Sequence, residues 1–254
     1  MAQAVVACCV ESHLDISLSA VTAKSIIFAA FLFSGLTAGA QPAVVSRNLP
    51  KFVGREITIT EPERGDYGFP TGPATVCVQG PPQRQCYTAP KDFGNSPTAT
   101  VVQLKKGLPA IFFSAASGGV SGWMIHFALL RLGTGKDLDD LLLSDADVSN
   151  QSQHAFWNEP TVSDARILVT ADYIWGPDEA HYAAHRYIVS SYVCKPSSLS
   201  GDPRYYIDDR YMTVNKYDLD AGVDILAAEK QEILARLRRA KAAAEAEARQ
   251  QAPR

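Results

Sequence analysis

His181 and His185 stand four residues apart in the run GPDEAHYAAH that begins at Gly176, close behind Asp178 and Glu179. Two imidazoles and one carboxylate are a zinc ligand set, and a further carboxylate could serve as general base. The chemistry depends on the backbone. On a helix the two rings stack on one face about 6 Å apart, whereas on a strand the same spacing separates them by about 13 Å. Pro177 suits a first helical turn, with Asp178 and Glu179 at the positive end of the dipole. Gly176-Pro177-Asp178-Glu179 also suits a type I turn that would close a hairpin. The pattern is not HExxH, because Tyr182 follows His181. His181, His185 and Glu179 are therefore the candidate metal ligands, and a metal-dependent hydrolase is the alternative function.

Oxygen-rich loops are the next set. Asp145-Ala-Asp147-Val-Ser149-Asn150 and Asp218-Leu-Asp220-Ala-Gly222-Val-Asp224 place oxygen ligands at alternate positions, as calcium sites do, and Glu229 lies eleven residues after Asp218. The glycine of the second loop sits at position five instead of six, so capping and turn carboxylates account for both loops. Ser114 to Gly122 supplies small residues and amides but no GxSxG. No cofactor is expected, with zinc or calcium as the ions these sets would take. Asn150-Gln-Ser152 fits a glycosylation sequon.

Aromatic residues are a different signal. Trp157, Tyr173, Trp175 and Tyr182 belong to a set of tyrosines and tryptophans that offers apolar area with a polar tip, the chemistry of a protein or glycan partner surface. Core packing is the competing use for them.

The elements that must position these groups are mostly strands. Arg166–Trp175 (RILVTADYIW) and Tyr187–Val193 (YIVSSYV) are rich in β-branched and aromatic residues. In the first, Ile167, Val169, Ala171, Tyr173 and Trp175 share one face; Leu168, Thr170, Asp172 and Ile174 share the other. One face reads as buried and the other as mixed. REITIT from Arg55, TVCVQ, RQCYT, TATVVQLKK and PAIFFSA read as further strands. Trp123–Leu132 fits strand or helix, Asp137–Leu143 is ambiguous, and Ser144–Gln153 reads as a polar loop. From Asp224 to about Ala248 a helix is expected, with Asp224 as N-cap and Ile225, Ile233, Leu234 and Leu237 at helical spacing. The expected fold is mainly β, an antiparallel sandwich or partly open barrel with one C-terminal α-helix.

Composition excludes some classes. The formal net charge of −3 provides no basic field for phosphate backbones, so nucleic acid is not an expected partner. Lys24, a following apolar run of about a dozen residues and Ala38-Gly39-Ala40 form a signal-peptide pattern with cleavage after Ala40. That run is short for a bilayer span, so no stable membrane anchor is expected after cleavage, and the chain is expected to be exported to a periplasmic or extracellular space. Residues 1–40 are thus read as signal peptide, 41–51 as a flexible arm, 52–223 as a β-rich domain, and 224–254 as a helix with a frayed tail. An oxidising space allows disulfides. Cys77 and Cys86 bracket Pro81-Pro82 between two strands and are expected to be bridged, leaving Cys194 as the odd thiol. Taken together, the residues favour a non-catalytic binding or envelope-interaction module over an enzyme.

Overall fold

A computed structural model describes residues 44–45, 49–118, 123–144, 146–149, 152–177, 179–180, 183–218 and 221–251. The signal-peptide reading of residues 1–40 lies outside them. Thirteen strands form three antiparallel sheets among the described residues, and one helix follows them.

The first sheet has the order β1 (Val44–Val45), β2 (Ile57–Thr60), β3 (Thr75–Val78), β4 (Gln85–Thr88). Cys77 and Cys86 are direct cross-strand partners and are disulfide-bonded, with Cα atoms 4.1 Å apart. The middle sheet contains β5 (Phe93–Lys105), β6 (Leu108–Ser117), β7 (Met124–Leu132) and β8 (Leu138–Asp140), with β9 (Ala146–Ser149) also pairing β7. The third sheet has the order β10 (Gln153–Trp157), β11 (Ile167–Ile174), β12 (Arg186–Pro196), β13 (Pro203–Met212). Helix α1 spans Ile225–Gln251.

Strand alternation sorts the apolar residues into layers. Ile111 and Phe113 of β6, with Ala128 and Leu130 of β7, pack against Ile57, Ile59, Val76 and Val78 of the first sheet. The intervening Phe112, Phe127 and Leu129 face the third sheet, where they meet Leu168, Tyr192 and Tyr205. On the far side of that sheet, Ile167, Val169, Ala171, Tyr187 and Val189 receive Ile225, Leu226, Ile233, Leu234 and Leu237 of α1. Each of those five helix side chains gains about 1.5–3 kcal/mol from burial, and that burial fixes the helix on the sheet.

This layering corrects several expectations. Ile167 through Ala171 is buried on both faces, not one, because the third sheet is covered by the middle sheet and by α1. Trp123–Leu132 resolves to a strand. Ser144–Gln153 is not all loop, since Ala146 and Val148 are buried in β9. β13 gave no apolar run to read because it is a charged edge strand.

A register shift in β13 leaves Asp208 without a Cα partner: Ser191 faces Asp209 and Tyr192 faces Ile207. Such a bulge reverses the side-chain alternation. Tyr205 therefore faces the middle sheet while Tyr211, six residues on, faces α1.

Candidate functional site

The groups of interest lie on the side of the third sheet that α1 covers. Residues Gln153, Ala155 and Trp157 share this face of β10, opposite Ala171, Val169 and Ile167. The helix begins beside them because both ends of the junction are capped. The Asp224 carboxylate accepts from the N–H of Ala227 at 2.9 Å, the N-cap arrangement that its position predicts. The side chain of Gln153 accepts from the N–H of Ile225 at 2.8 Å and of Leu226 at 3.3 Å, and donates to the Val223 carbonyl at 3.0 Å. One glutamine thus fastens the start of α1 to the strand.

Between strand and helix lies a cleft of about 710 Å³, lined by Ser152–Ala155 and Trp157 on one wall and by Gly222–Asp224, Leu226, Ala227 and Lys230 on the other. Lys230 Nζ sits 5.3 Å from the centroid of the half-buried Trp157 ring, within cation–π range. The cleft therefore joins apolar area, a cation and amide and carboxylate groups.

A second cluster forms between β11 and β12. The connection spans the residues from Trp175 to His185, longer than the tight hairpin that the turn residues suggested. Its described part holds a turn, closed by the N–H of Glu179 on the Gly176 carbonyl at 3.3 Å, and a bridge from His185 to Tyr217. It is not a helix. The Glu179 carboxylate accepts from His185 Nδ1 at 2.9 Å and from the Gly176 N–H at 2.8 Å, and Lys216 Nζ lies 2.6 Å from its other oxygen. Lys216, then the Gly176 N–H, then His185 hold this carboxyl well below the usual range, at about 2. The His185 ring, 2% exposed, packs against Tyr173 and Trp175 at 5.3 and 5.2 Å. The Trp175 indole donates to the Tyr173 hydroxyl at 2.9 Å, and Trp175 is 50% exposed.

Glu179 and His185, two of the three candidate metal ligands, thus meet as members of an ion-pair cluster. His181 and Tyr182 lie outside the described residues, as do Asp145, Asn150 and Asp220 of the oxygen-rich loops. Asp147 and Glu229 have other uses. Asp147 faces His126 Nδ1 at 2.6 Å, and Glu229 accepts from the hydroxyls of Tyr211, at 2.8 Å, and Tyr217. Burial and the Glu229 carboxylate raise the pKa of both tyrosines. Among the described residues, no three His, Cys, Asp or Glu side chains gather to hold a metal ion.

Sequence reasoning missed Lys216 and Lys230, which reach their partners from other elements, and a buried relay elsewhere. His126, 4% exposed, links Asp147 of β9 to the Tyr87 hydroxyl of β4, 2.8 Å from Nε2. The relay joins the first sheet to the middle one. Comparison with known proteins found no match to a family model, to a curated protein or to a solved structure.

Proposed function

We propose that the chain is an exported, non-catalytic binding module that recognises a protein or glycan partner at the cleft between β10 and α1. The observation that carries this reading is the pairing of Trp157 and Lys230 in a cleft large enough for a ligand, on a strand tied firmly to the helix by Gln153. Aromatic and cationic groups on rigid elements are what recognition surfaces use. Export to a periplasmic or extracellular space, after cleavage behind Ala40, is supported by the Cys77–Cys86 disulfide. None of the described helices is long and apolar enough to cross a membrane.

The test is a photo-crosslinking amino acid placed in cells at Ala227, an exposed lining residue that leaves Lys230 intact, with Tyr67, which is 90% exposed, as the control position. A macromolecular adduct at position 227 and none at 67 is expected. Equal adducts at both positions, or none at 227, remove the reading. Elemental analysis of chelator-free protein addresses the hydrolase: stoichiometric zinc that disappears in His185→Ala would replace the binding module with that enzyme.

A further inference from the structure

We infer that the occupant of this cleft is an extended peptide, which adds to the third sheet as a fifth strand beside β10 and sets an acidic side chain against Lys230. The inference rests on the reading of the chain as a binding module and names the class of its partner.

Edge strands expose half of their backbone donors and acceptors, and proteins ordinarily blunt them with charge, proline or bulges. The long edges here are blunted. β5 carries Pro97 and Lys105, and its register shifts in three places. β13, the edge of the third sheet opposite β10, carries Arg204, Asp208, Asp209 and Arg210 and the bulge at Asp208. β10 has none of these devices. Its sequence is QHAFW, and its pairing with β11 runs without a shift from Gln153↔Ala171 to Trp157↔Ile167. Among the described residues, no backbone hydrogen bond links β10 to a segment other than β11. Alternate N–H and C=O groups of the strand therefore point outward, where a further strand would pair.

The cleft suits that occupant in length and in chemistry. Five residues of β10 extend about 17 Å, enough to pair with a segment of similar length. Ala155 leaves room beside the strand, and the Trp157 ring with Lys230 over it closes one end. Lys230 forms no salt bridge among the described residues; the acidic group that feels its charge, Glu159, is itself paired to Arg238 at 3.1 Å, which leaves the Lys230 ammonium able to meet a carboxylate on the incoming chain. A sugar ring stacked on Trp157 fits less well, because the ammonium of Lys230 stands over the indole face.

The purified wild-type chain is panned against a random dodecapeptide library displayed on phage. Enriched sequences should alternate apolar side chains and carry Asp or Glu toward one end. With a synthetic copy of one such peptide, methylating alternate backbone nitrogens should weaken binding at least tenfold, and methylating the intervening ones should not. Alternate amides of β10 should become protected from hydrogen exchange when the peptide binds. Panning on Lys230→Glu, a change on the exposed helix surface, should shift the acidic preference to Lys or Arg. Absence of enrichment, indifference to backbone methylation, or unchanged exchange in β10 overturns strand addition. If position 227 still gives its photo-adduct in cells, the binding module survives that result; if it gives none, both fall together.

Discussion

The middle and third sheets are covered in different ways. Over the middle sheet lie four short strands, stapled by a disulfide across β3 and β4, and the rim of β4 is sealed by the Cys86 N–H on the Lys136 carbonyl at 3.1 Å. Over the third sheet lies a single helix of 27 residues. A covering sheet brings hydrogen-bonding edges of its own and can close those of its neighbour. A helix satisfies its backbone internally, so it covers a face and leaves the edges as they were. The half of the molecule built with a helix is accordingly the half with an open strand and a cleft beside it.

Four measurements would break or sharpen this contrast. Emptying the helix-covered half should do the most damage. Leu237 is fully buried between α1 and the third sheet, and Leu237→Ala should cost about 3 kcal/mol by chemical denaturation. A loss under about 1 kcal/mol would mean that the helix is an accessory to the sheet and not its cover.

The disulfide-stapled half comes next. Replacing Cys77 and Cys86 together by serine should cost about 2 to 3 kcal/mol, the loop-closure contribution of so short a ring. Binding at β10 should be unchanged, since the bridge lies in the first sheet, two layers away. Parallel loss of binding and stability would show the two halves to be one cooperative unit.

Asp140, in the middle sheet, reads the boundary between the halves through pH. Its carboxylate accepts from the N–H groups of Leu129 and Leu142, each at 3.0 Å, and burial pushes its pKa up from 3.8 to about 6. Because the folded value is the higher one, the fold binds this proton more tightly than the unfolded chain does. Stability therefore rises as pH falls from 6 toward 3.8, and the ionised group costs about 3 kcal/mol at neutral pH. Asp140→Asn keeps an oxygen acceptor, so the variant should be more stable than wild type at pH 7 and lose that advantage below pH 4. An advantage that persists at pH 3 would rule out titration as its source.

Glu179 gives the smallest effect and the opposite sign. Its folded pKa, about 2, lies below the ordinary 4.5, so its contribution is complete above pH 4.5 and disappears as pH falls toward 2. Glu179→Gln should flatten stability across that window and leave the disulfide-stapled half unaffected. A variant with the acid arm of the wild type would place the titration elsewhere.

The parts of this fold that could be read from residue order are those where pattern and environment agree. β11 and β12 are long β-branched and aromatic runs, Cys77 and Cys86 flank an evident turn, and Asp224 precedes a helical stripe. β9, β10 and β13 escaped because each is a short or edge strand whose polar residues resemble a loop. The candidate site was half legible for the same reason. Tyr173, Trp175, Glu179 and His185 stand in or beside recognisable strands, and Trp157 was legible only as an aromatic residue, while the lysines that complete their surroundings come from positions 216 and 230. The Tyr87–His126–Asp147 relay joins strands of two sheets across some 60 positions of chain, and only the stacking of those sheets brings it together.

Asp208, which the register skips, acts as a phase shifter within β13. If it were deleted, the strand would alternate without interruption, and one of its ends would have to show its wrong side. Either Tyr205 would leave the middle sheet, where its hydroxyl donates to the Arg166 carbonyl at 2.7 Å, or Tyr211 would leave Glu229. Losing one residue from this exposed rim is thus far from silent. Changes of chain length belong instead in the Ser197–Asp202 turn, which is closed locally by the Ser197 N–H on the Asp202 carbonyl at 2.7 Å and the Gly201 N–H on the Ser197 carbonyl at 2.8 Å.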